Sequence, residues 1–344
     1  MGVIQLATAI ALCVSVLVSH AAYAADALLE FNYGIPNANH ASVFVAQDLG
    51  LFEKVGLKPK FFIFQSGAPL LAGLKSESLD VVTAGLALSL ALGQNITLKF
   101  IYWEANSAVS EGLVADPKSG IKSYRDLGKA KKIGAATGTC AQVSLYMMAK
   151  KLGLDYAKLD VVNLPAPLFR NAFMSGSIDA GVAWPPFSLQ LQSEGYPVVA
   201  FDEEYTPPGG LCPGLTAVRP AYLKQHPEIG LKLVQAEALA REAIAKNPQV
   251  AIDAYIKRQQ LAPDVAKATV ERECCDRGIP SFALQVDTKS PYSMTSKDGL
   301  AAKLNLAIEA LYAMKAIPEL IPLATIQDSV DPTYLREYMK SVGK

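Results

Sequence analysis

A short run of hydroxyl and glycine residues before a predicted helix is the segment best suited to bind an anion. The run is Thr137, Gly138, Thr139 and Cys140, and it lies between a predicted strand and a predicted helix. A helix N-terminus presents N–H groups without intrahelical partners and the positive end of the helix dipole. We therefore predict that these four residues contact an oxyanion group of a ligand. Capping of the helix by Thr139 is the alternative use of its hydroxyl.

Polar side chains also follow three predicted strands in the first third of the chain. Loops at the carboxyl ends of parallel strands commonly carry ligand-binding groups. A glycine in such a loop lets backbone N–H groups approach a ligand closely. An ordinary turn with an asparagine cap is the alternative for the first loop. From these loops we predict ligand contacts by Tyr33, Asn37, Asn39, His40, Gln65, Ser66, Gly67 and Gly85.

The two tryptophans have different predicted surroundings. Trp184 follows a strand that begins near Asp179, so its indole is placed to form one wall of a ligand cleft. An indole can lie against an apolar part of a ligand. Packing between two lobes is the alternative role for this side chain. Trp103 lies near a chain crossover and is expected in the core.

Residue types used in catalysis are present without the motifs that organise them. A cysteine nucleophile needs a base within hydrogen-bond reach, so Cys140 and His40 would have to meet across a cleft. No Gly-x-Ser-x-Gly, His-Glu-x-x-His or phosphate-loop motif occurs in the sequence. The cysteines lack the paired spacing of structural zinc sites. The sequence therefore predicts a binding protein rather than an enzyme, with no catalytic residues, no cofactor and no metal.

The cysteines leave the pattern of disulfide bonds open. Of the five, Cys13 lies in the N-terminal apolar run, and four remain: Cys140, Cys212, Cys274 and Cys275. Four cysteines allow three pairings, and an oxidising compartment permits them. Adjacent cysteines rarely pair with each other, so one of the last two is a candidate to bridge elsewhere. Small buried free thiols are the alternative, for Cys140 and Cys212 in particular.

An internal repeat, offset by 97 to 99 residues, organises the candidate residues. Residues 53–57 correspond to 150–154, 68–70 to 166–168, and 78–81 to 177–180. In the first pair a basic helix end precedes Gly and Leu, which predicts a helix cap with the glycine in the left-handed conformation. The last pair is a polar turn that leads into a strand beginning with Asp. A repeat of this length indicates two similar lobes.

The order of predicted elements indicates how the chain divides between those lobes. Short strands alternate with helices up to about residue 201, which is typical of parallel sheets with crossover helices. After residue 223 nearly every segment is predicted helical. We predict an α/β fold in which residues 25–110 and 210–344 form lobe 1 and residues 111–209 form lobe 2. Lobe 1 is therefore discontinuous, and the lobes face each other across a cleft.

The N-terminal sequence predicts where the protein is located, and the balance of charges indicates which partners to expect. The apolar run from Leu6 to Val18 is too short for a membrane helix, and Ala22-Tyr23-Ala24 has the form that signal peptidase cuts. We predict that residues 1–24 are a signal peptide and that the mature chain is periplasmic. The chain has 32 basic and 32 acidic residues, which gives no electrostatic reason to expect nucleic acid or a membrane surface as a partner.

Several segments resemble a known family of binding proteins. They are residues 46–57, which contain GLFEKVGL, and residues 65–67, 78–80, 126–129, 179–187 with the Trp-Pro-Pro segment, and 219–223. Together they resemble the periplasmic binding proteins for alkanesulfonates, taurine and nitrate, a branch shared with thiamine-pyrimidine-binding proteins. The resemblance covers about residues 32–247. The adjacent Cys274 and Cys275 depart from the pattern that we expect of this family.

The resemblance implies a fold, a ligand class and partners. It implies a type II periplasmic-binding-protein fold of the venus-flytrap kind, which closes around a small molecule and delivers it to an ABC permease with its ATPase. We expect a monomer that meets the membrane only through the permease. A sulfonate, taurine-like or nitrate-like ligand would use the helix N-terminus and hydroxyls. A neutral pyrimidine stacked on Tyr33 and Trp184, or an exported sensor partner, are the alternatives.

Overall fold

Two five-stranded sheets form the framework of the chain in the computed structural model, which describes residues 27–273 and 275–343. The predicted signal peptide, residues 1–24, lies outside the described residues. The strands are β1 (Leu29–Pro36), β2 (Leu57–Phe64), β3 (Val81–Ala84), β4 (Lys99–Asn106), β5 (Gly112–Ala115), β6 (Ile133–Ala135), β7 (Val161–Asn163), β8 (Ala180–Ala183), β9 (Val198–Phe201) and β10 (Pro213–Val218).

The two sheets have equivalent strand orders. The first is β2-β1-β3-β10-β4 and the second is β7-β6-β8-β5-β9. The first three strands of each sheet run parallel, and the fourth runs antiparallel to both of its neighbours. Lobe 1 here denotes the first sheet with the helices packed on it, and lobe 2 denotes the second.

The fourth strand of each sheet corrects the expectation of purely parallel sheets. β5 follows the crossing from lobe 1, and β10 follows the return from lobe 2. Each enters the new sheet after the crossing without an α-helix before it, and it runs antiparallel to its neighbours. The alternation of strands and helices in the sequence does not contain this information, because both strands lie outside the repeated unit.

Sixteen α-helices and six short 3-10 helices are formed within the described part of the chain. The α-helices are α1 (Ala41–Asp48), α2 (Leu51–Lys54), α3 (Gly67–Lys75), α4 (Ala87–Gly93), α5 (Cys140–Lys151), α6 (Phe169–Met174), α7 (Phe187–Ser193), α8 (Pro220–Gln225), α9 (Ile229–Lys246), α10 (Gln249–Gln259), α11 (Pro263–Glu273), α12 (Cys275–Gly278), α13 (Phe282–Val286), α14 (Leu300–Ala313), α15 (Leu323–Ser329) and α16 (Thr333–Ser341). Among the helices of these described ranges, none combines the length and the apolar character that are needed to cross a membrane.

The long C-terminal helices complete the core of lobe 1. α9 and α10 pack on α1, and α16 packs on α9. Apolar side chains of these helices bury together with those of the first sheet, as Leu233, Tyr255 and Leu335 show. A second, smaller core surrounds the second sheet. Because α14 packs against both α4 and α5, one C-terminal helix touches both lobes.

The repeat seen in the sequence has a physical counterpart at the ends of α2 and α5. Gly56 has φ 81° and Gly153 has φ 67°, so both glycines after these helices adopt the predicted left-handed conformation. Side chains at such φ values are strained, which explains the glycine. The predicted cap is confirmed at both positions.

The two repeated aspartates have matching structural roles. Asp80 precedes β3, and its Oδ2 accepts a hydrogen bond from the backbone N–H of Asn32 in β1 at 2.9 Å. Asp179 precedes β8, and its Oδ2 accepts from the backbone N–H groups of Lys131 and Lys132, just before β6, at 2.7 and 3.0 Å. Each carboxylate therefore ties neighbouring parallel strands together and leaves the cleft to other side chains.

Candidate ligand-binding cleft

A narrow cavity lies between the two lobes, at the carboxyl ends of their parallel strands. The space open to the centres of water molecules is about 50 Å³. One water needs roughly 10 to 15 Å³ by this measure, so the cavity has room for roughly three to five waters or for one compact small molecule. Its polar and aromatic lining consists of Asn39, His40, Ser66, Glu104, Ser107, Glu111, Thr139 and Trp184, with the sulfurs of Cys140 and Cys212.

An acid and an imidazole form the lobe 1 wall of the cavity. His40 immediately precedes α1, and Glu104 lies in β4; their side chains are 3 and 1% exposed. His40 Nδ1 lies 3.2 Å from Glu104 Oε2, and the Ser42 hydroxyl donates to Glu104 Oε1 at 2.9 Å. When Nδ1 carries the hydrogen of this contact, Nε2 is left free to interact with a bound molecule.

Two polar atoms of this wall lack partners within residues 27–273 and 275–343. They are His40 Nε2 and Asn39 Nδ2, both buried. The other end of the Asn39 amide is fixed, because its Oδ1 accepts a hydrogen bond from the Ser107 hydroxyl at 2.9 Å. Buried polar groups in native proteins are nearly always hydrogen-bonded. His40 Nε2 is the more direct indication that the cavity takes up a polar partner, because the Asn39 side chain also lowers the pKa of Glu273 through a hydrogen bond, and Glu273 lies outside the cavity lining.

Glu111 is the most completely buried acid of the cavity. Burial, and to a lesser extent the nearby Asp202 carboxylate, raises the pKa of Glu111 well above its ordinary value. Glu111 Oε2 lies 3.0 Å from Cys212 Sγ. Because a disulfide sulfur has no hydrogen, the protonated carboxyl is the donor in this contact. Glu111 Oε1 has no partner among the described residues.

A disulfide between Cys140 and Cys212 forms the back of the cavity. Cys140 is the first residue of α5 in lobe 2, and Cys212 directly precedes β10 in lobe 1, so the bond joins the two lobes. The Leu86 N–H donates to Cys140 Sγ at 3.4 Å. A Cβ on Gly85 would lie 2.7 Å from this sulfur, which explains why a glycine is needed there. The pairing left open by the sequence is thus Cys140 with Cys212, and neither is a free thiol.

Trp184 forms the remaining wall and also joins the lobes. It follows β8 of lobe 2 and is 7% exposed. Its indole N–H donates to the carbonyl oxygen of Asn37, at the end of β1 in lobe 1, at 3.1 Å. The indole therefore serves both roles considered from the sequence, since it lines the cavity and packs between the lobes.

The structure brings most of the predicted site residues together. Those that line the cavity are Asn39, His40, Ser66, Gly67, Gly85, Thr139, Cys140 and Trp184. Their contact with a ligand stays a prediction. The cysteine contributes a disulfide sulfur in place of the expected thiol.

Tyr33 does not line the cavity. Its side chain is fully buried in the core of lobe 1, where its hydroxyl lies 2.6 Å from Thr83 Oγ1 and its ring stacks on Phe61 at 5.0 Å. The prediction placed Tyr33 at the end of the first strand. β1 continues to Pro36, so Tyr33 is in mid-strand with its side chain inside the core.

Asn37 and Gln65 lie outside the cavity lining. Asn37 Oδ1 accepts a hydrogen bond from the Gln259 amide at 3.0 Å, and its carbonyl oxygen accepts from Trp184. Asn37 therefore supports the wall from behind. Gln65 is exposed, because the turn before α3 directs Ser66 and Gly67 inward instead.

The predicted anion site at the start of α5 is largely occupied by contacts within the chain. Exposed Thr137 donates its N–H to Asn163 Oδ1 at 2.9 Å, and Gly138 donates its N–H to Gln142 Oε1 at 2.7 Å. The Thr139 hydroxyl donates to the Ala136 carbonyl oxygen at 2.7 Å. Only the first-turn N–H groups of α5, beginning at Cys140, keep the geometry of an anion site.

Sequence reasoning missed four polar or sulfur-bearing residues of the cavity. They are Glu104, Ser107, Glu111 and Cys212. One signal was available: Glu104 is a charged residue inside the apolar run of β4, and a buried charge in a strand indicates a function or a partner. The other three lie at the chain crossings, where the sequence shows no periodic pattern.

The charges of the cavity differ from those of a simple anion site. Its ionisable side chains are two carboxyls and one imidazole, and no Lys or Arg belongs to the lining formed by the described residues. Arg241 approaches β4 only from behind, where it donates to the carbonyl oxygens of Trp103 and Glu104 at 2.8 and 3.1 Å. A bound anion would therefore depend on neutral donors or on a cation that accompanies it.

The architecture and the cavity between the lobes define a class: a two-lobed solute-binding protein of the periplasmic-binding-protein fold. Residues 37–251 match the family model described as NMT1/THI5 like. The chain belongs to this family. Several relatives are named as binding proteins for aliphatic sulfonates, alkanesulfonates or nitrate, and the name of one from Haemophilus influenzae assigns it to thiamine biosynthesis.

Three relatives illustrate the family. A Bacillus subtilis protein whose name assigns it to aliphatic-sulfonate binding is 30% identical over 180 residues, which are 52% of this chain and 53% of the relative. The chain thus spans about half the length of that relative. The structure of the alkanesulfonate-binding protein of Xanthomonas axonopodis pv. citri bound to MOPS has TM-score 0.72 and 21% identity, covering 89% of this chain and 99% of that one.

The third relative is the periplasmic nitrate-binding protein of Synechocystis PCC 6803. Its structure has TM-score 0.73 and 12% identity, and the alignment covers 92% of this chain and 89% of that chain. At such identities the two structures establish the shared fold alone.

Proposed function

We propose that this chain is the periplasmic solute-binding component of an ABC importer and that its ligand is a small zwitterion with an ammonium group and an oxyanion, such as an aminoalkanesulfonate. The observation that carries the proposal is the cavity itself. It lies between the lobes, and its lining includes Glu104 of lobe 1 and, from lobe 2, Cys140, the first residue of α5.

The two walls of the cavity favour opposite charges. Glu104 on lobe 1 is a hydrogen-bond acceptor suited to an ammonium group, and charge-assisted hydrogen bonds are the strong ones. The start of α5 on lobe 2 presents N–H groups and the positive end of a helix dipole, which suit an oxyanion. A ligand that carries both groups would draw the lobes together.

The relatives support the oxyanion part of this proposal. One is named for aliphatic sulfonates, and another was solved with MOPS. MOPS itself joins a sulfonate to an amine that can carry a proton. The small volume of the cavity further favours a compact ligand over a bulky one.

A matched panel of solutes tests the ligand class. Thermal shift and calorimetry on the purified mature chain would compare taurine with ethanesulfonate, which lacks the ammonium group, and with ethylamine, which lacks the sulfonate. Each charge-assisted hydrogen bond is worth about 1.5 to 3 kcal/mol, so we expect taurine to bind at least roughly tenfold more tightly than either.

The panel also separates the alternatives. Equal binding of ethanesulfonate and taurine would show that the oxyanion alone is recognised. Binding of a neutral pyrimidine with no response to any sulfonate would replace the proposed ligand with the pyrimidine class. Genes for a permease and an ATPase beside this gene would support import, whereas a lone sensor kinase gene would support the sensor role.

A further inference from the structure

We propose that Cys140, Cys212 and Glu111 form a site for a zinc-type divalent metal ion at the back of the cleft when the disulfide is reduced. The proposal goes beyond solute binding, because it assigns a second ligand to the cavity. It can be tested without any solute, so its failure and the failure of the proposed function are distinguishable.

The geometry brings two sulfurs and a carboxylate oxygen together. Cys140 Sγ, Cys212 Sγ and a carboxylate oxygen of Glu111 all lie within 4.8 Å of one another, and all three residues are buried. Zinc commonly takes thiolate and carboxylate ligands at about 2.0 to 2.3 Å. A tetrahedral ion would hold the sulfurs about 3.8 Å apart at those bond lengths. The site therefore requires the disulfide to be broken.

The unpartnered oxygen of Glu111 is an independent indication of a missing ligand. Oε1 of this fully buried side chain has no hydrogen-bond partner in the described ranges. The lining of the cavity contains no Lys or Arg, within the same described residues, that could pair with it. A buried carboxyl oxygen without a hydrogen-bond partner costs free energy even when the carboxyl is protonated. A divalent ion held by two thiolates would supply that partner.

The fourth coordination position would face the cavity. A zinc site with three protein ligands keeps such a position open for water or another ligand. His40 lines the same cavity with Nε2 free, and its Nδ1 is in contact with Glu104, which is the arrangement that orients metal-binding imidazoles.

The reduction step balances with a dithiol as the reductant. The Cys140–Cys212 bond accepts two electrons and two protons and becomes two thiols, while the dithiol leaves as its own disulfide. Metal binding then releases the two thiol protons and the proton of the Glu111 carboxyl to the buffer, as two metal–thiolate bonds and one metal–carboxylate bond form. Cys140 is the first residue of α5 and Cys212 directly precedes β10, so each sulfur lies at the end of a regular element rather than in its middle.

Cobalt titration of the reduced chain is the experiment. The protein is reduced with dithiothreitol, desalted under argon, and titrated with Co²⁺, followed by Zn²⁺ to displace it. We expect one equivalent of Co²⁺, a near-ultraviolet thiolate-to-cobalt band, and loss of that band on addition of zinc. The oxidised chain should show no such band.

Three variants give the controls. Glu111→Gln preserves size and the disulfide, and we expect it to weaken cobalt binding at least about 10- to 100-fold in the reduced chain, the loss typical of groups that only orient a metal ligand. Cys140→Ser with Cys212→Ser should abolish the band. Cys274→Ser with Cys275→Ser should retain both the band and the stoichiometry.

Several results would overturn the metal site. They are an absent band in the reduced wild type, a band in the oxidised chain, a band that persists without Cys140 and Cys212, or a Glu111→Gln variant with unchanged affinity. Since that last variant keeps the disulfide, the proposal remains testable even if the double serine variant fails to fold, which circular dichroism would show.

Discussion

Trp184 lines the cavity and also joins the two lobes through its hydrogen bond to Asn37. We expect Trp184→Ala to weaken solute binding by roughly 1 to 3 kcal/mol, as for a buried aromatic anchor, with the protein still folded. Trp184→Phe retains an apolar ring but lacks the N–H that reaches the Asn37 carbonyl oxygen, so an intermediate loss is expected. Calorimetry measures both. Normal binding by the alanine variant, or its unfolding, would assign the indole to lobe packing alone.

At the scale of residues, the sequence predicted positions better than chemical roles. Asn39, His40, Ser66 and Trp184 were located from strand ends and reach the cavity. Glu104 was missed, because a single acid in an apolar strand does not reveal which face it occupies. Some polar groups that the sequence suggests are available to a ligand make hydrogen bonds within the protein instead. The Thr139 hydroxyl, for example, donates to the Ala136 carbonyl oxygen.

At the scale of elements, a substitution in the turn before α5 tests how closely the two lobes must approach each other for solute to bind. Gly138 has φ 71°, and a Cβ there would overlap the side chain of Leu90 in α4 of the other lobe. Gly176 has φ 66° with open space around it. Both alanine variants incur the left-handed backbone cost, about 1 to 2 kcal/mol. Gly138→Ala should lose more thermal stability than Gly176→Ala and should also lose solute affinity.

The comparison of the two glycine variants isolates the contact between the lobes. If both variants lower the unfolding midpoint equally and bind solute alike, then α4 and the turn before α5 do not limit closure. Calorimetric affinity and a thermal unfolding curve for each variant decide this point.

A buried acid joins two helices and the crossing segment before β5, and it predicts a pH dependence of stability. Glu273 in α11 accepts hydrogen bonds from Ser110 at 2.9 Å and from Tyr255 in α10 at 3.0 Å. Burial raises the pKa of Glu273 from its ordinary value of 4.5 to about 8. The folded state therefore holds a proton that the unfolded chain loses near pH 4.5, so this contribution is fully present below that pH and is lost as pH rises towards 8.

The pH dependence is measured by chemical unfolding at a series of pH values between 4.5 and about 8. The free energy of unfolding should fall with rising pH, and Glu273→Gln should reduce the slope by up to about 1.4 kcal/mol per pH unit. Exposed Glu271, on the same helix, provides the matched control as Glu271→Gln. Identical slopes in wild type and Glu273→Gln would contradict the assignment.

The elements themselves were well predicted where the pattern was periodic. The repeat located paired helices and strands, and the glycine caps at Gly56 and Gly153 were anticipated because only glycine adopts that conformation without strain. β5 and β10 were missed, because their buried runs lie at the crossings and carry no alternation. Their antiparallel direction depends on how the whole chain returns between lobes.

At the scale of the whole molecule, the disulfide between the lobes limits how far the cleft can open. In the chain-entropy description, a disulfide that closes a loop of 72 residues raises the free energy of unfolding by about 4 kcal/mol. Small-angle scattering with and without solute should show a smaller radius of gyration in the bound state. The change should be larger in the reduced protein than in the oxidised one. An unchanged profile at saturation in both redox states would contradict a hinged cleft.

The measurement that tests the central claim most directly is a calorimetric cycle with two proteins and two solutes. Wild type and Glu104→Gln are each titrated with taurine and with ethanesulfonate, so the change at the His40 contact is common to both solutes and cancels. We predict that the substitution weakens taurine binding at least about tenfold more than ethanesulfonate binding, since one charge-assisted hydrogen bond to the ammonium group is lost. Equal losses for the two solutes, or no binding of taurine by the wild type, would contradict the account.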